Sequence, residues 1–195
     1  SDMQNSVFWP ATEIDVNKDI QDILVNATDQ ERHGIIYNLK LFTKYEQFAA
    51  NEYWGGRFKR MFPRPCMQTM AATFSFFEIA IHARFYNMLN EALNLNTEEF
   101  HSSYVDDPVL KNRMDFIEDC LKDKDDLFSM AVFSMVEGAI LYSSFAYLKH
   151  FQAEGKNLMT NICAGLDFSV RDENIHHQAG AWAFRTLLAE SNLSE

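Results

Sequence analysis

Four stretches of this sequence each place one carboxylate inside an apolar, helix-like pattern, and two of them add a histidine one helical turn later. The residues concerned are Glu46, Glu78, His82, Glu137, Glu173 and His176. A bare carboxylate in an apolar core is costly unless it is paired or bound to a cation. Four together would repel one another, and two divalent cations would cancel their charge. The pattern therefore predicts a dinuclear metal site with carboxylate and imidazole ligands, which suit iron or manganese.

Each of these residues taken singly has a plainer explanation. One Glu in an apolar window, such as Glu46, is most often at the edge of a helix. A Glu–His pair three or four residues apart is usually a surface pair, and His82 alone is more often a hydrogen-bonded core residue. The joint pattern favours the metal site, because ferritin-like di-iron and di-manganese bundles use this set: a Glu from each of two helices and a Glu–His motif from each of the other two.

Four long helices are needed to bring these groups together. An apolar stripe from Ile35 to Ala49 predicts a first helix, with Thr28 or Asp29 as its N-cap beside Glu31. The two glycines after Trp54 are predicted to end it at about that residue. Residues 66–95, 126–153 and 157–191 are predicted to form the other three, with short helices between 96 and 122. Residues 1–27 show no sustained period and are predicted to be an extended N-terminal segment. The sequence thus indicates one all-α domain over 1–195, with a ferritin-like helical bundle at 28–195.

Composition narrows the classes of function. The formal charge is −11 and basic residues are not clustered, which argues against nucleic-acid binding. No uncharged apolar run is long enough to predict a membrane span, and the sequence does not start with a signal-peptide pattern. Three cysteines with no CxxC pair indicate a reducing compartment without disulfides. We therefore expect a cytoplasmic protein that binds neither nucleic acid nor membrane.

The motifs around the predicted ligands resemble those of the small, radical-generating subunit of class I ribonucleotide reductase. The resembling stretches are "FWPATEIDV" (8–16), "NLK" before Glu46, "IHARFY" (81–86), "EGAILYSSFAYLK" (137–149) and "RDENIHH" (171–177). Together they cover most of the chain from about Trp9 onward. The resemblance implies that all six residues named above are metal ligands. It implies an iron pair first, with a manganese pair or a mixed pair as alternatives that use the same ligand types.

The resemblance also assigns roles outside the ligand set. Tyr86, four residues after His82, corresponds to the tyrosine that holds the radical. Asp172 corresponds to the carboxylate that links a ligand histidine to an N-terminal tryptophan, here Trp9. Reaction with oxygen at the metal pair would oxidise Tyr86. A large catalytic subunit would then use the radical to reduce ribonucleotides to deoxyribonucleotides, and a homodimer of the small subunit is implied.

Two features depart from the family pattern. The family spaces its second-helix ligands as Glu-x-x-His, whereas Glu78 is four residues before His82. Both spacings lie on one helix face, and a π-bulge would restore the register. The sequence also stops 19 residues after His176, where relatives continue with further helices and a tail. We expect a shortened relative, or a truncated or split subunit completed by a separate chain.

Two other functions fit the same residues. A different ferritin-like di-metal oxidase or a metal-storage protein would keep the six ligands but would need neither Trp9 nor Asp172. A split or truncated subunit would act only as an assembly partner. The presence of Trp9 and Asp172 favours the reductase.

Overall fold

The predicted ligand segments lie on four long helices in a computed structural model, which describes residues 1–153 and 155–191. Helix α1 comprises Asp29–Phe48, the π-helical Ala49–Phe58 and Lys59–Met61. Helix α2 comprises Pro65–Phe76, the π-helical Phe77–His82 and Ala83–Ala92. The shorter α3 (Glu98–Ser102) and α4 (Pro108–Lys122) follow. Helix α5 comprises Asp126–Met135, the π-helical Val136–Ile140, Leu141–Lys149 and a last 3₁₀ turn at His150–Gln152, and α6 is Thr160–Glu190.

No strand occurs in the part of the chain that the structure describes, so the prediction of an all-α fold is confirmed. Helix α6 packs along α5, and α1 packs on α2. A single large hydrophobic cluster fills the space between them and includes the aromatic rings of Phe42, Trp54, Phe85 and Phe133. This packing turns the four ligand segments toward one interior.

Side-chain caps fix where several helices begin. Thr28 and Glu31 form a capping box at the start of α1, as the sequence predicts. Thr97 caps α3, Asp107 caps α4 and Asp125 caps α5, each by accepting a hydrogen bond from a backbone N–H of the first turn. These short polar side chains satisfy donors that have no partner inside the helix.

The prediction that α1 ends at about Trp54 is wrong, because the helix continues through Gly55 and Gly56 to Met61. The residues from Ala49 onward adopt a π-helical turn, in which backbone groups of residues five apart approach each other. A Cβ on Gly55 would lie 2.7 Å from the carbonyl oxygen of Ala50. The glycine pair therefore permits this close backbone contact within the π-helical turn, and it does not end the helix.

The prediction of an extended N-terminal segment is also wrong in its local structure. Residues 1–27 form short helical turns at Asp2–Ser6, Ala11–Glu13, Val16–Asp19 and Asp22–Asn26. Their fold follows from contacts with α6. Asp19 accepts hydrogen bonds from the backbone N–H of Ile162 and the side chain of Asn161, both at 2.7 Å. Asp22 accepts one from the N–H of Met159 at 2.8 Å. Two aspartates from the N-terminal segment thus cap the first turn of the last helix.

Residues Asp126–Gln152 are long and apolar enough to cross a membrane by length and composition alone, and 44% of the most apolar window is buried in the bundle. This span is α5, which packs against α4 and α6 and carries the fully buried Glu137. A central helix of a bundle is expected to be apolar on most sides. The bundle itself therefore accounts for its apolar character.

Candidate metal centre

The structure brings all six predicted ligands into one interior cluster, and each of them is fully buried. Their ligand atoms form two groups, in each of which the atoms lie within 4.8 Å of one another. The first group is Glu46, Glu78, His82 and Glu173, and the second is Glu78, Glu137, Glu173 and His176. Glu78 and Glu173 belong to both groups. The arrangement thus offers two adjacent positions, each with one imidazole and one carboxylate of its own, joined by two shared carboxylates.

Both imidazoles point one nitrogen at the shared carboxylates. His82 Nδ1 lies 3.1 Å from Glu78 Oε2, 3.3 Å from Glu173 Oε1 and 3.6 Å from Glu46 Oε2. His176 Nδ1 lies 2.6 Å from Glu78 Oε1 and 3.4 Å from Glu173 Oε2. Nδ1 is therefore the nitrogen that each histidine presents to the centre.

The four-residue spacing of Glu78 and His82 is accommodated by a π-helical turn. This turn, Phe77–His82, begins just before Glu78 and ends at His82, so of the two possibilities that the sequence left open the π-bulge is the one found. A second π-helical turn on α5, Val136–Ile140, contains Glu137. A third on α1, Ala49–Phe58, begins three residues after Glu46. Three of the four helices thus depart from regular α-helix beside the cluster, as is common at functional sites.

Many polar atoms of the cluster are buried without a hydrogen-bond partner among the described residues. They are both oxygens of Glu46 and of Glu173, Glu78 Oε1, Glu137 Oε2 and both ring nitrogens of His176. His176 Nδ1 lies close to Glu78 and Glu173, but these approaches lack the alignment of a hydrogen bond. Buried polar groups are normally paired, and each exception needs an explanation. Cations that these atoms would coordinate are such an explanation, and the oxygen and nitrogen donors suit iron or manganese. The residues present therefore fit a metal pair.

The carboxylates divide into two classes in the absence of metal. Burial, followed by the charge of neighbouring carboxylates, raises the pKa of Glu46 and Glu137 well above the usual value. Burial also opposes ionisation of Glu78 and Glu173. Contacts with the two imidazoles, and for Glu173 also with Glu137, outweigh it and lower the pKa of both. The surroundings thus favour the protonated form of Glu46 and Glu137 and the ionised form of Glu78 and Glu173.

The two imidazoles are protonated in the same state. Burial alone would lower the pKa of His82, but contacts with Asp172, Glu173 and other carboxylates raise it well above its usual value. Burial likewise opposes charge on His176, but the charge of Glu78 and contacts with Glu173 raise its pKa to about 9. The surroundings thus favour the charged form of both imidazoles, which face the carboxylates of Glu78 and Glu173.

A family model described as "Ribonucleotide reductase, small chain" matches residues 2–195 of this sequence. The chain belongs to this family. Subunit M2 of ribonucleoside-diphosphate reductase from Danio rerio is 26% identical over 189 residues, covering 93% of this chain and 47% of the relative. The human M2 subunit is also 26% identical and is covered over 46% of its length. The chain thus spans about half the length of these curated relatives.

Solved structures show the same fold. A putative class I ribonucleotide reductase from Bacillus halodurans superposes with a TM-score of 0.87 at 21% identity, covering 97% of this chain and 69% of that one. Dimanganese(II)-NrdF from Streptococcus sanguinis superposes with a TM-score of 0.85 at 19% identity, covering 100% of this chain and 67% of that one. The ferritin-like bundle is therefore confirmed for this member of the small-chain family.

Asp172 connects the N-terminal segment to the cluster of this small chain. Its Oδ2 accepts a hydrogen bond from Trp9 Nε1 at 2.7 Å and lies 3.1 Å from His82 Nε2. The indole of Trp9 is buried against Phe85 and Phe168, with ring centroids 5.9 and 5.3 Å away. Asp172 therefore fixes the ring of His82 so that Nδ1 faces the centre, as carboxylates behind ligand histidines do.

Tyr86 is fully buried on α2, one turn after His82. Its ring stacks on Phe42 with a centroid distance of 4.6 Å and an interplanar angle of 2°. Phe85 and Leu141 are buried in the same hydrophobic cluster. Phe145 stacks on Phe42. Burial and the charge of Glu46 raise the pKa of the Tyr86 hydroxyl well above its usual value. The phenol is thus protonated and shielded from water.

Sequence reasoning missed Trp54, which contacts the cluster directly. Its Nε1 donates a hydrogen bond to Glu137 Oε1 at 3.1 Å, and both side chains are fully buried. The available signal was its position two turns after Glu46 on the same helix. The sequence did not predict this contact, because Gly55 and Gly56 indicate a helix end directly after Trp54.

Proposed function

We propose that this chain is the radical-generating small subunit of a class I ribonucleotide reductase, with metal ligands Glu46, Glu78, His82, Glu137, Glu173 and His176. One observation carries the proposal. Six buried side chains from four helices converge in two overlapping groups, with many of their polar atoms unpaired. Family membership supports the same assignment.

The metal pair, when bound, supplies the oxidising power that is drawn from oxygen. We favour two iron ions, with a manganese pair or a manganese–iron pair as alternatives, since the ligand types suit both metals. Glu78 and Glu173 would bridge the two positions, because they alone belong to both groups. Glu46 and His82 would complete one position, and Glu137 and His176 the other.

Tyr86 is the proposed radical carrier. Its hydroxyl would lose one electron and one proton, and the aromatic packing of Phe42 and Phe85 around it would keep water and reductants away. Trp9, Asp172 and His82 form a continuous hydrogen-bonded line from the N-terminal segment to the cluster. This line would conduct electrons or radical equivalents between the cluster and the N-terminal segment.

The proposed partner is a large catalytic subunit that uses the radical to reduce ribonucleotides to deoxyribonucleotides. A second copy of this chain is a further proposed partner. The reaction belongs to the cytoplasm, where we place the protein. The line from Trp9 through Asp172 favours this function over metal storage, because storage requires no such connection.

Aerobic reconstitution tests the proposal. Metal-free protein would be loaded anaerobically with Fe(II), or in parallel with Mn(II), exposed to oxygen, and examined by metal analysis and electron paramagnetic resonance. We expect about two metal ions per chain and a tyrosyl radical signal. Addition of a class I large subunit should then give deoxyribonucleotide from ribonucleoside diphosphate. A protein that binds two ions but forms no radical would be a di-metal protein of another function.

A further inference from the structure

Trp54 serves the opposite end of the cluster from Trp9. Its indole nitrogen donates to Glu137 Oε1 at 3.1 Å, and its ring lies edge-on to His176 with a centroid distance of 5.8 Å. Glu137 and His176 are the two residues that belong to the second group alone. We propose that Trp54 is a positioning residue for the second metal position, where it holds one oxygen of Glu137 and directs the other to the cation. This inference rests on the proposed function.

The two oxygens of Glu137 have different surroundings: Oε1 accepts a hydrogen bond from Trp54, and Oε2 is available to a cation. The indole N–H of Trp54 donates to one lone pair of Oε1 and thereby holds this oxygen on the Trp54 side. Oε2 has no hydrogen-bond partner among the described residues. The terminal torsion of a Glu side chain is broad and nearly two-fold. Without the indole donor, the carboxylate is free to turn and to offer either oxygen, or both, to the metal.

The indole is well suited to this role because its orientation is fixed by aromatic packing. Three phenylalanine rings surround the Trp54 ring. The centroid distances are 4.9 Å to Phe74 (edge-on), 5.0 Å to Phe58 and 6.2 Å to Phe133 (edge-on). The ring centroid of Phe74 also lies 4.3 Å from that of His176. A donor held rigidly before the metal binds needs no reorganisation when it binds. The π turn of α1 that includes Trp54 is thus part of the construction of the site.

The two tryptophans act on different metal positions. Trp9 acts through Asp172 on His82, which belongs to the first group only. Trp54 acts directly on Glu137, which belongs to the second group only. Loss of the Trp54 donor should therefore weaken one position and spare the other. A general loosening of the core would instead weaken both together.

Titration with Mn(II) alone, under anaerobic conditions, tests this selectivity. Free Mn(II) is counted by its electron paramagnetic resonance signal in the wild type, in Trp54→Phe and in Trp182→Phe. Trp182 on α6 is 49% exposed, so its substitution is a matched control that removes an indole from the protein surface and not from the buried cluster. We expect two tight ions in the wild type and in Trp182→Phe. In Trp54→Phe we expect one unchanged ion and one bound about 10- to 100-fold more weakly.

The other outcomes are separable. Two unchanged ions in Trp54→Phe, or equal weakening of both, would overturn the inference about Trp54 and leave the proposed function standing. A wild type that fails to bind two ions would overturn both.

If Trp54→Phe does not fold, as judged by circular dichroism, the wild type itself decides. Its indole N–H groups can be labelled with ¹⁵N, assigned with Trp9→Phe and Trp182→Phe, and followed during loading with Zn(II). We expect the Trp54 signal to shift and its exchange with solvent to slow, while the Trp182 signal stays constant. A Trp54 signal that does not respond to the metal would contradict the inference.

Discussion

Glu78 and His82 lie four residues apart on α2, and the π-helical turn Phe77–His82 brings Glu78 Oε2 to 3.1 Å from His82 Nδ1. The other oxygen of Glu78 lies 2.6 Å from His176 Nδ1 on α6. One carboxylate therefore faces both imidazoles. Glu78 therefore belongs to both groups of candidate ligand atoms, whereas Glu46 belongs to only one.

Substitution of a shared carboxylate should affect both metal positions, and substitution of an unshared one should affect a single position. We expect Glu78→Gln to weaken both ions by at least about tenfold, because a neutral amide replaces the bridging charge. Glu46→Gln should keep one tight ion. Metal analysis after dialysis measures the difference, with the exposed Glu91→Gln on the same helix as control. Loss of only one ion in Glu78→Gln would contradict the bridging geometry.

The metal-free protein should become less stable as the pH rises. His176 has a folded-state pKa of about 9 against a usual value of 6.5, so its contribution is present below pH 6.5 and is lost as the pH rises through 9. The raised pKa values of Glu46 and Glu137 act in the same direction. For His176 alone we expect a loss on the order of 1–3 kcal/mol between pH 6.5 and pH 9, to which the two carboxyl groups add. Urea unfolding at the two pH values measures it, and a gain in stability would contradict it.

Metal loading should release protons from the same groups. His82 and His176 must become neutral to bind metal, and Glu46 and Glu137 must ionise. These four groups set an upper limit of four protons for each pair of ions bound near pH 7. A pH indicator in weakly buffered solution counts them. Loading without proton release would show that the ions bind elsewhere.

Tyr86 and Tyr45 are both fully buried tyrosines whose hydroxyls lack hydrogen-bond partners among the described residues. In both cases burial raises the pKa, and charges of the cluster add to the effect. We predict that Tyr86→Phe abolishes the tyrosyl radical signal after aerobic loading. Tyr45→Phe, the matched control, should retain it. The reverse result would assign the radical to Tyr45, and an unchanged signal in both variants would exclude each of them as the sole carrier.

Asp19 holds the N-terminal segment on the start of α6, so its loss should destabilise the fold. Asp19→Ala leaves the backbone N–H of Ile162 without its acceptor, which should cost about 1–3 kcal/mol. The neighbouring Asp15→Ala removes an exposed carboxylate with a weak contact to Lys18 and should be nearly neutral. Equilibrium unfolding in urea compares the two variants. Equal stability of both would show that the cap contributes nothing.

The bundle and its six candidate ligands were predictable because each ligand breaks an apolar helical pattern. Glu137, for example, is the one charge in "FSMVEGAILYSSF", and burying it demands a partner. Helix starts such as Thr28 were predictable from capping chemistry, which is local in sequence. The assignment of Tyr86, Trp9 and Asp172 depended on the family resemblance, since a tyrosine near a histidine carries no specific signal alone.

The missed features depend on contacts between segments that are distant in the chain. The capping of α6 by Asp19 joins residues 143 positions apart. The hydrogen bond from Trp54 to Glu137 joins residues 83 positions apart. Trp54 lies on a π-helical turn that no local sequence pattern indicated. Gly55 and Gly56 favour a helix end by their intrinsic preference, and tertiary packing overrides that preference here.

The central claim is that two metal ions lie among the carboxylates and imidazoles of the four helices. Anomalous X-ray diffraction from crystals of the protein loaded with Mn(II), recorded at the manganese absorption edge, tests it most directly. We expect two anomalous peaks inside the bundle, one beside His82 and Glu46 and the other beside His176 and Glu137, with Glu78 and Glu173 between them. Crystals with no anomalous peak in this interior would contradict it.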